Sequence, residues 1–406
     1  MMQRSQVRTP ETVTGSTLRT WAMGILPLIL LTALVAAFLV FDPTGFLRSG
    51  FPPVEELTLQ RVTLSTEPRE MVVHVVNGGP EPVTVAQVLV DEAYWAHQIQ
   101  PARTISRLGR ATIAIPYPWV DGEAHEITLL TNTGVTFSTE VEVAVATPRP
   151  GIRFLGIFTL LGIYVGVIPV ALGLLWYPFL RRIGRKWMNF FLSLTAGLLI
   201  FLGIDALEEA LGSAGQVPDA FQGVGVIAIG FIVSVTALVA IGQRMRSVGR
   251  SKGKTHGRLM LAYMIAAGIG LHNLGEGLAI GAAYALGEIA LGAFLIIGFT
   301  IHNTTEGLGI VAPVAKDSPG LRHLAIMGAI AGTPTIVGAW IGGFTYSPTL
   351  AILFLAVGAG AIFQVVYKLV RLIHRESSKE AGVLLNLAGL TIGLVIMYVT
   401  GLFVAA

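Results

Sequence analysis

The chain has 406 residues, of which 53% are apolar and only 13% charged, against about 25% charged in an ordinary soluble protein. There is no cysteine, which excludes disulfides, thiolate metal sites, iron–sulfur ligation and cysteine nucleophiles. The net charge is +3 and no basic run is interleaved with aromatics, so nucleic-acid binding has no support.

Such a composition places most of the chain in lipid. A span needs roughly 20 apolar residues. The first such run is 21–41, after a tail (1–20) that carries Arg4, Arg8 and Arg19. It is longer than the apolar stretch of a signal peptide and no small-residue cleavage site follows. It reads as an uncleaved transmembrane anchor (21–42), closed by Asp42-Pro43 and Gly45.

The next segment, 43–150, has a different texture. Short β-branched runs (57–64, 71–76, 83–90, 111–115, 126–130 and 135–145) alternate with turn signals such as Asn77-Gly78, Asp121-Gly122 and Asn132-Thr133-Gly134. Six or seven strands in about 100 residues predict an all-β sandwich of immunoglobulin-like type. Between 51 and 150 there are 12 acidic residues, six Arg and no Lys. That balance is the ordinary make-up of a solvated surface, with at most a weak pull on cations. His74, His97 and His125 lack close metal-ligand spacing and read as surface or structural residues.

From 151 to 406 the chain predicts eight further spans, at about 153–178, 188–211, 221–242, 258–284, 290–314, 322–344, 348–372 and 383–404. The loops order them. Arg181, Arg182, Arg185 and Lys186 follow the first, Arg244 to Arg258 the third, Lys316 and Arg322 the fifth, and Lys368 to Lys379 the seventh. The alternate loops have no Lys or Arg. Basic loops stay cytoplasmic, so the eight-helix unit starts and ends outside the cytoplasm. With the basic tail inside, the anchor crosses once and the β segment is extracytoplasmic.

Of the 24 acidic residues, five fall within or at the ends of these spans: Asp205, Glu208, Glu209, Glu276 and Glu306. Ionisable groups in a span are costly and mark a site or pathway. Two of them belong to a repeated motif. Leu271-His272-Asn273-Leu274-Gly275-Glu276-Gly277 is in the fourth helix of the unit, and Ile301-His302-Asn303-Thr304-Thr305-Glu306-Gly307 follows 30 residues later in the fifth. Each His–Glu pair is four residues apart, on one helix face, about 6 Å apart along the axis. A short loop makes the two helices antiparallel neighbours, so two imidazoles and two carboxylates can converge. That donor set suits a divalent cation such as Zn²⁺, with Fe²⁺ or Mn²⁺ as alternatives. Asn273 and Asn303 offer further oxygen ligands. The plain alternative is polar glue, with each His bonded to its own Glu to hold the bundle. Asp205, Glu208 and Glu209 end the second helix and read either as a cation entrance or as carboxylates in contact with interfacial water.

The paired His-Asn-x-x-Glu-Gly helices resemble the metal-binding fourth and fifth helices of the ZIP family (Zrt/Irt-like divalent metal transporters), in particular its bacterial and archaeal branches. The resemblance covers 151–406 and extends to eight helices with both ends outside. It implies a plasma (inner) membrane carrier that moves zinc and related cations toward the cytoplasm. Its site would be His272, Asn273, Glu276, His302, Asn303 and Glu306. The first, fourth, fifth and sixth helices would move against the rest. The partners implied are the lipid bilayer and the transported divalent metal, with no separate cofactor and a homodimer allowed for. Three features depart from the family pattern. Gly275 and Thr305 stand where Pro often precedes each Glu. Thr335 stands where the sixth helix donates a Glu, which points to one metal position rather than two. The anchor and β-sandwich lie outside the common core. Two other classes compete with a carrier: an intramembrane metal-dependent hydrolase, for which no His-Glu-x-x-His is present, and a metal-sensing receptor.

Overall fold

The structure is a computed structural model that describes residues 17–41, 54–249, 253–286, 289–345, 347–376 and 380–405. Arg4 and Arg8 of the tail, the Asp42-Pro43-Gly45 end of the anchor, and Arg250, Lys252 and Lys379 of the basic loops lie outside these residues. The chain divides into two compact units, Met1–Val54 and Glu55–Ala406. In the first, α1 (Thr17–Phe41) is one helix with Pro27 inside it, and its Leu28, Leu34 and Phe38 side chains are exposed.

The second unit begins with a β region. Strands β1 (Leu57–Thr66), β2 (Arg69–Asn77), β3 (Val83–Val90), β4 (Ala93–Tyr94), β5 (Gln98–Gln100), β6 (Thr104–Ile105), β7 (Arg110–Ile115), β8 (His125–Thr131) and β9 (Thr136–Val141) follow in chain order. They form two antiparallel sheets, ordered β1-β2-β7-β5 and β4-β3-β8-β9, with β6 paired to β3. The reason lies in the period of two. Met71, Val73 and Val75 on β2 and Ile127 and Leu129 on β8 point inward, with Val72, His74 and Thr128 between them on the less buried face. Both sheets cover one apolar core, at whose centre Trp119 is fully buried and donates its indole N–H to Ser65 O at 3.1 Å. The six expected strand runs appear as β1, β2, β3, β7, β8 and β9; the short β4, β5 and β6 come in addition. Gly122 and Gly134 take positive φ, +88° and +91°, at two of the expected turns. The segment that leaves the β region is zipped to β1, with Thr147 N–H donating to Leu64 O and Leu64 N–H donating to Thr147 Oγ1, both at 2.9 Å.

The remainder is helical. The first apolar stretch is α2 (Ile152–Gly162), a π-helical turn (Ile163–Val167), α3 (Ile168–Leu174) and α4 (Tyr177–Arg182). There follow α5 (Arg185–Gly212), α6 (Gly223–Gly249), α7 (Gly253–Leu286), α8 (Ile289–Val311), α9 (Leu321–Gly332), α10 (Pro334–Thr345), α11 (Pro348–Glu376) and α12 (Glu380–Ala405). Among the described residues, six helical stretches are long and apolar enough to cross a membrane: Ile152–Arg182, Arg185–Gln216, Asp219–Arg244, Leu321–Thr345, Pro348–His374 and Gly382–Leu402. The sequence predicts nine spans. The three outside this set fall in α1, whose described apolar side chains include Ile25–Phe38, and in α7 and α8. The last two carry the His, Asn and Glu of the repeats.

Glycines let the helix backbones touch. On α7, Gly277 and Gly281 face the carbonyls of Thr335 and Ala339 on α10, while Gly338 and Gly342 of α10 face those of Leu274 and Leu278. Gly173 of α3 and Gly307 of α8 lie Cα against Cα. Elsewhere, Gly389 and Gly393 of α12 meet Phe190 O and Leu194 O of α5. A Cβ at any of these positions would collide with backbone, so small residues set the interhelical distance. The β region touches one end of this bundle, where Glu56 Oε1 accepts the Asp219 N–H at 2.9 Å and Arg61 Nη1 reaches Phe344 O at 3.5 Å. At the other end Arg258 of α7 forms a two-pronged ion pair with Asp317, Nε to Oδ2 at 2.6 Å and Nη2 to Oδ1 at 2.5 Å.

Candidate metal centre

Helix α7 buries His272, Asn273 and Glu276, and α8 buries His302, Asn303 and Glu306; none of the six exceeds 5% exposure. An unpaired charge so placed is costly, so the arrangement of partners decides what the cluster can do. Its centre is Glu276. Its Oε1 lies 3.3 Å from His272 Nε2, one helical turn back, and in direct contact with His302 Nε2 from the neighbouring helix. Ligand atoms of His272, Glu276 and His302 all lie within 4.8 Å of one another, and all three residues are buried. Two imidazole nitrogens and one carboxylate at that spacing can hold a metal ion, with room for a further ligand. The His272 and His302 rings are 6.2 Å apart, and Phe299 packs at 5.3 Å from the His302 ring. Thr305 Oγ1 donates to His302 O at 2.6 Å and stiffens that turn of α8.

Both Asn residues donate through their amide nitrogens. Asn303 Nδ2 donates to Glu276 Oε2 at 2.8 Å and to Val165 O at 3.0 Å. Asn273 Nδ2 donates to Ala331 O at 3.1 Å. Their Oδ1 atoms have no hydrogen-bond partner among the described residues. Glu306 is buried with neither oxygen hydrogen-bonded and stands outside the three-residue group. It borders a small cavity lined by Thr195, Leu199, Leu202, Ile269 and Met397.

Asp205, Glu208 and Glu209 are exposed on α5 and none of them joins the group. Thr335, at the start of α10, is fully buried and its hydroxyl is unpaired among the described residues. In the β region His125 is structural. It is buried and donates Nδ1–H to Asp91 Oδ2 at 2.8 Å.

The sequence reading missed the backbone around the cluster. Val165 precedes Pro169 by four residues, and Ala331 lies in the last turn before Pro334. Both prolines were available as signals: each stands inside an otherwise apolar span. Neither the models of known protein families nor the curated proteins yield a match to this chain.

Proposed function

We propose that this chain is a membrane carrier for divalent metal cations, zinc first with iron or manganese as alternatives, and that His272, Glu276 and His302 hold the cation in transit. The observation that carries this reading is the convergence of two imidazoles and a carboxylate from two helices at one buried point. Mixed nitrogen and oxygen donors favour borderline first-row ions over Mg²⁺ or Ca²⁺. Burial between apolar helices is costly for charge unless a cation or a proton is bound, which suits a site that fills and empties.

The remaining features of the reading follow the resemblance to the ZIP family. The cation moves toward the cytoplasm of a plasma-membrane protein whose N-terminus is inside and whose C-terminus is outside. Nine spans cross the bilayer, α7 and α8 among them. The helices from 152 to 182, α7, α8 and α9–α10 move against α5, α6, α11 and α12. The backbone contacts at Gly173–Gly307 and Gly277–Thr335 favour that grouping, because they tie the site-bearing helices to the first and sixth spans. The β region, immunoglobulin-like in type, sits at the outer mouth, and Asp205, Glu208 and Glu209 form the approach.

Purified protein in liposomes that enclose a zinc-sensitive dye tests this directly. The wild type accumulates zinc and Glu276→Gln does not. Liposomes that stay empty with folded wild-type protein, under an inward zinc gradient, overturn the proposal.

A further inference from the structure

We infer that Asn273 and Asn303 are positioning residues that brace two proline-broken helices against the cluster, and are not metal ligands. Val165 lies in the π-helical turn, and its α-helical donor would be the N–H of residue 169. That residue is Pro169, which has none. Asn303 Nδ2 fills the gap at 3.0 Å and spends its second proton on Glu276 Oε2 at 2.8 Å. The amide cannot be turned over. A flipped Asn303 would set its oxygen against a carbonyl and a carboxylate at once, with no donor between them. Glu276 is thereby oriented, with Oε2 held by Asn303 and Oε1 facing the two histidines.

A related contact occurs on the other helix, one residue along: Pro334 takes the α-helical donor from Ile330 O, and the Asn meets the neighbouring carbonyl, Ala331 O. Ala331 is in the last turn of α9, where carbonyls lack intrahelical donors, and α10 restarts at Pro334. Asn273 Nδ2 bonds that carbonyl at 3.1 Å. The glycine contacts repeat the match. Gly277 meets the carbonyl of Thr335, and Gly307 that of Val170, in each case the residue after the breaking proline. In return, Gly338 meets Leu274 O, and Gly173 meets Thr304 O, both at the residue after the motif Asn. The motif Asn therefore does one job twice, at two broken helices.

The inference rests on the proposed metal site for one arm of its test only. In that arm, Co²⁺ is titrated into detergent-purified full chain and followed by its visible absorption bands. Asn303→Asp removes the donor and adds a charge beside Glu276, so Co²⁺ affinity falls about tenfold or more, as for loss of a hydrogen bond to a charged group. A ligand role predicts the reverse, since a carboxylate binds better than an amide, and tighter binding by Asn303→Asp overturns the inference.

The second arm needs no metal. Asn303→Ala lowers the thermal midpoint. Pro169→Ala supplies the missing N–H, so in the double variant part of that loss is recovered. Strictly additive effects overturn the tie to Val165. Absence of Co²⁺ binding by the wild type would refute the metal reading and leave this cycle to decide the positioning role.

Discussion

His302 on α8 and Glu276 on α7 meet side chain to side chain, Nε2 to Oε1, across 26 residues of sequence. His272 Nε2 stands 3.3 Å from the same oxygen. One carboxylate oxygen thus serves both imidazoles, while Glu306, its counterpart in the repeat, forms no ion pair with either histidine. The repeat is symmetrical in sequence and asymmetrical in use. Glu276→Gln should therefore weaken equilibrium metal binding by at least ~100-fold, because an amide replaces the shared anion. Glu306→Gln should cost less in affinity and more in turnover. Calorimetry beside liposome uptake separates the two, and equal losses of affinity would place Glu306 in the primary coordination sphere.

Stoichiometry follows from the donors. The three-residue group contains one carboxylate, and Thr335, buried on α10, offers only a neutral hydroxyl. A second cation a few ångströms away would meet like-charge repulsion with too little negative charge to offset it. One tightly bound Zn²⁺ per chain is the expected calorimetric result. Two ions of equal affinity would show that carboxylates from elsewhere, Asp205 first, enter the site.

Backbone contact at glycine makes a sharp mechanical prediction. A Cβ at Gly277 would run into Thr335 O, whereas one at Gly156 of α2 meets nothing within 4 Å. Gly277→Ala should destabilise the purified protein by about 1–3 kcal/mol through overpacking. Gly156→Ala should be neutral or stabilising by up to ~1 kcal/mol from helix propensity. Thermal unfolding in detergent compares them, and a Gly277→Ala midpoint at or above the wild type would contradict the close approach of α7 and α10.

In the β region the Asp91 carboxylate accepts from Tyr117 OH at 2.9 Å, His125 Nδ1 at 2.8 Å and the Glu126 N–H at 3.0 Å. Burial acts to raise its pKa, but the bonds from His125, Glu126 and Tyr117 outweigh it and hold the carboxyl below its ordinary value. A carboxylate favoured by the folded state contributes its stability above the ordinary pKa, about 3.9, and loses it as pH falls through the lowered folded value. Hydrogen exchange of β3 and β8 amides in the intact chain, relative to the intrinsic rate at each pH, should accelerate below about pH 4. In Asp91→Ala it should be faster at neutral pH, by an amount equal to about 1 kcal/mol, with less further change on acidification. A pH response in the variant as steep as in the wild type would assign the effect to other groups.

The strands and the repeated motif were legible in the sequence because their signals are local. Ala111 to Ile115 alternates with a period of two whatever lies opposite, and four residues between His272 and Glu276 place both on one helix face in any helix. The low charge and the long apolar runs likewise needed no partner to be read. The tertiary structure alone decided which groups meet. Arg258 finds Asp317 across 59 residues. Asn303 turns its nitrogen rather than its oxygen toward Glu276 because a carbonyl freed by Pro169 waits on another helix. Glu276 joins the two histidines and Glu306 does not. Each of these depends on the depth and rotation of one helix against another. Those are set by which glycines let the backbones approach, a sum over many contacts between residues far apart in the chain, which no local pattern encodes.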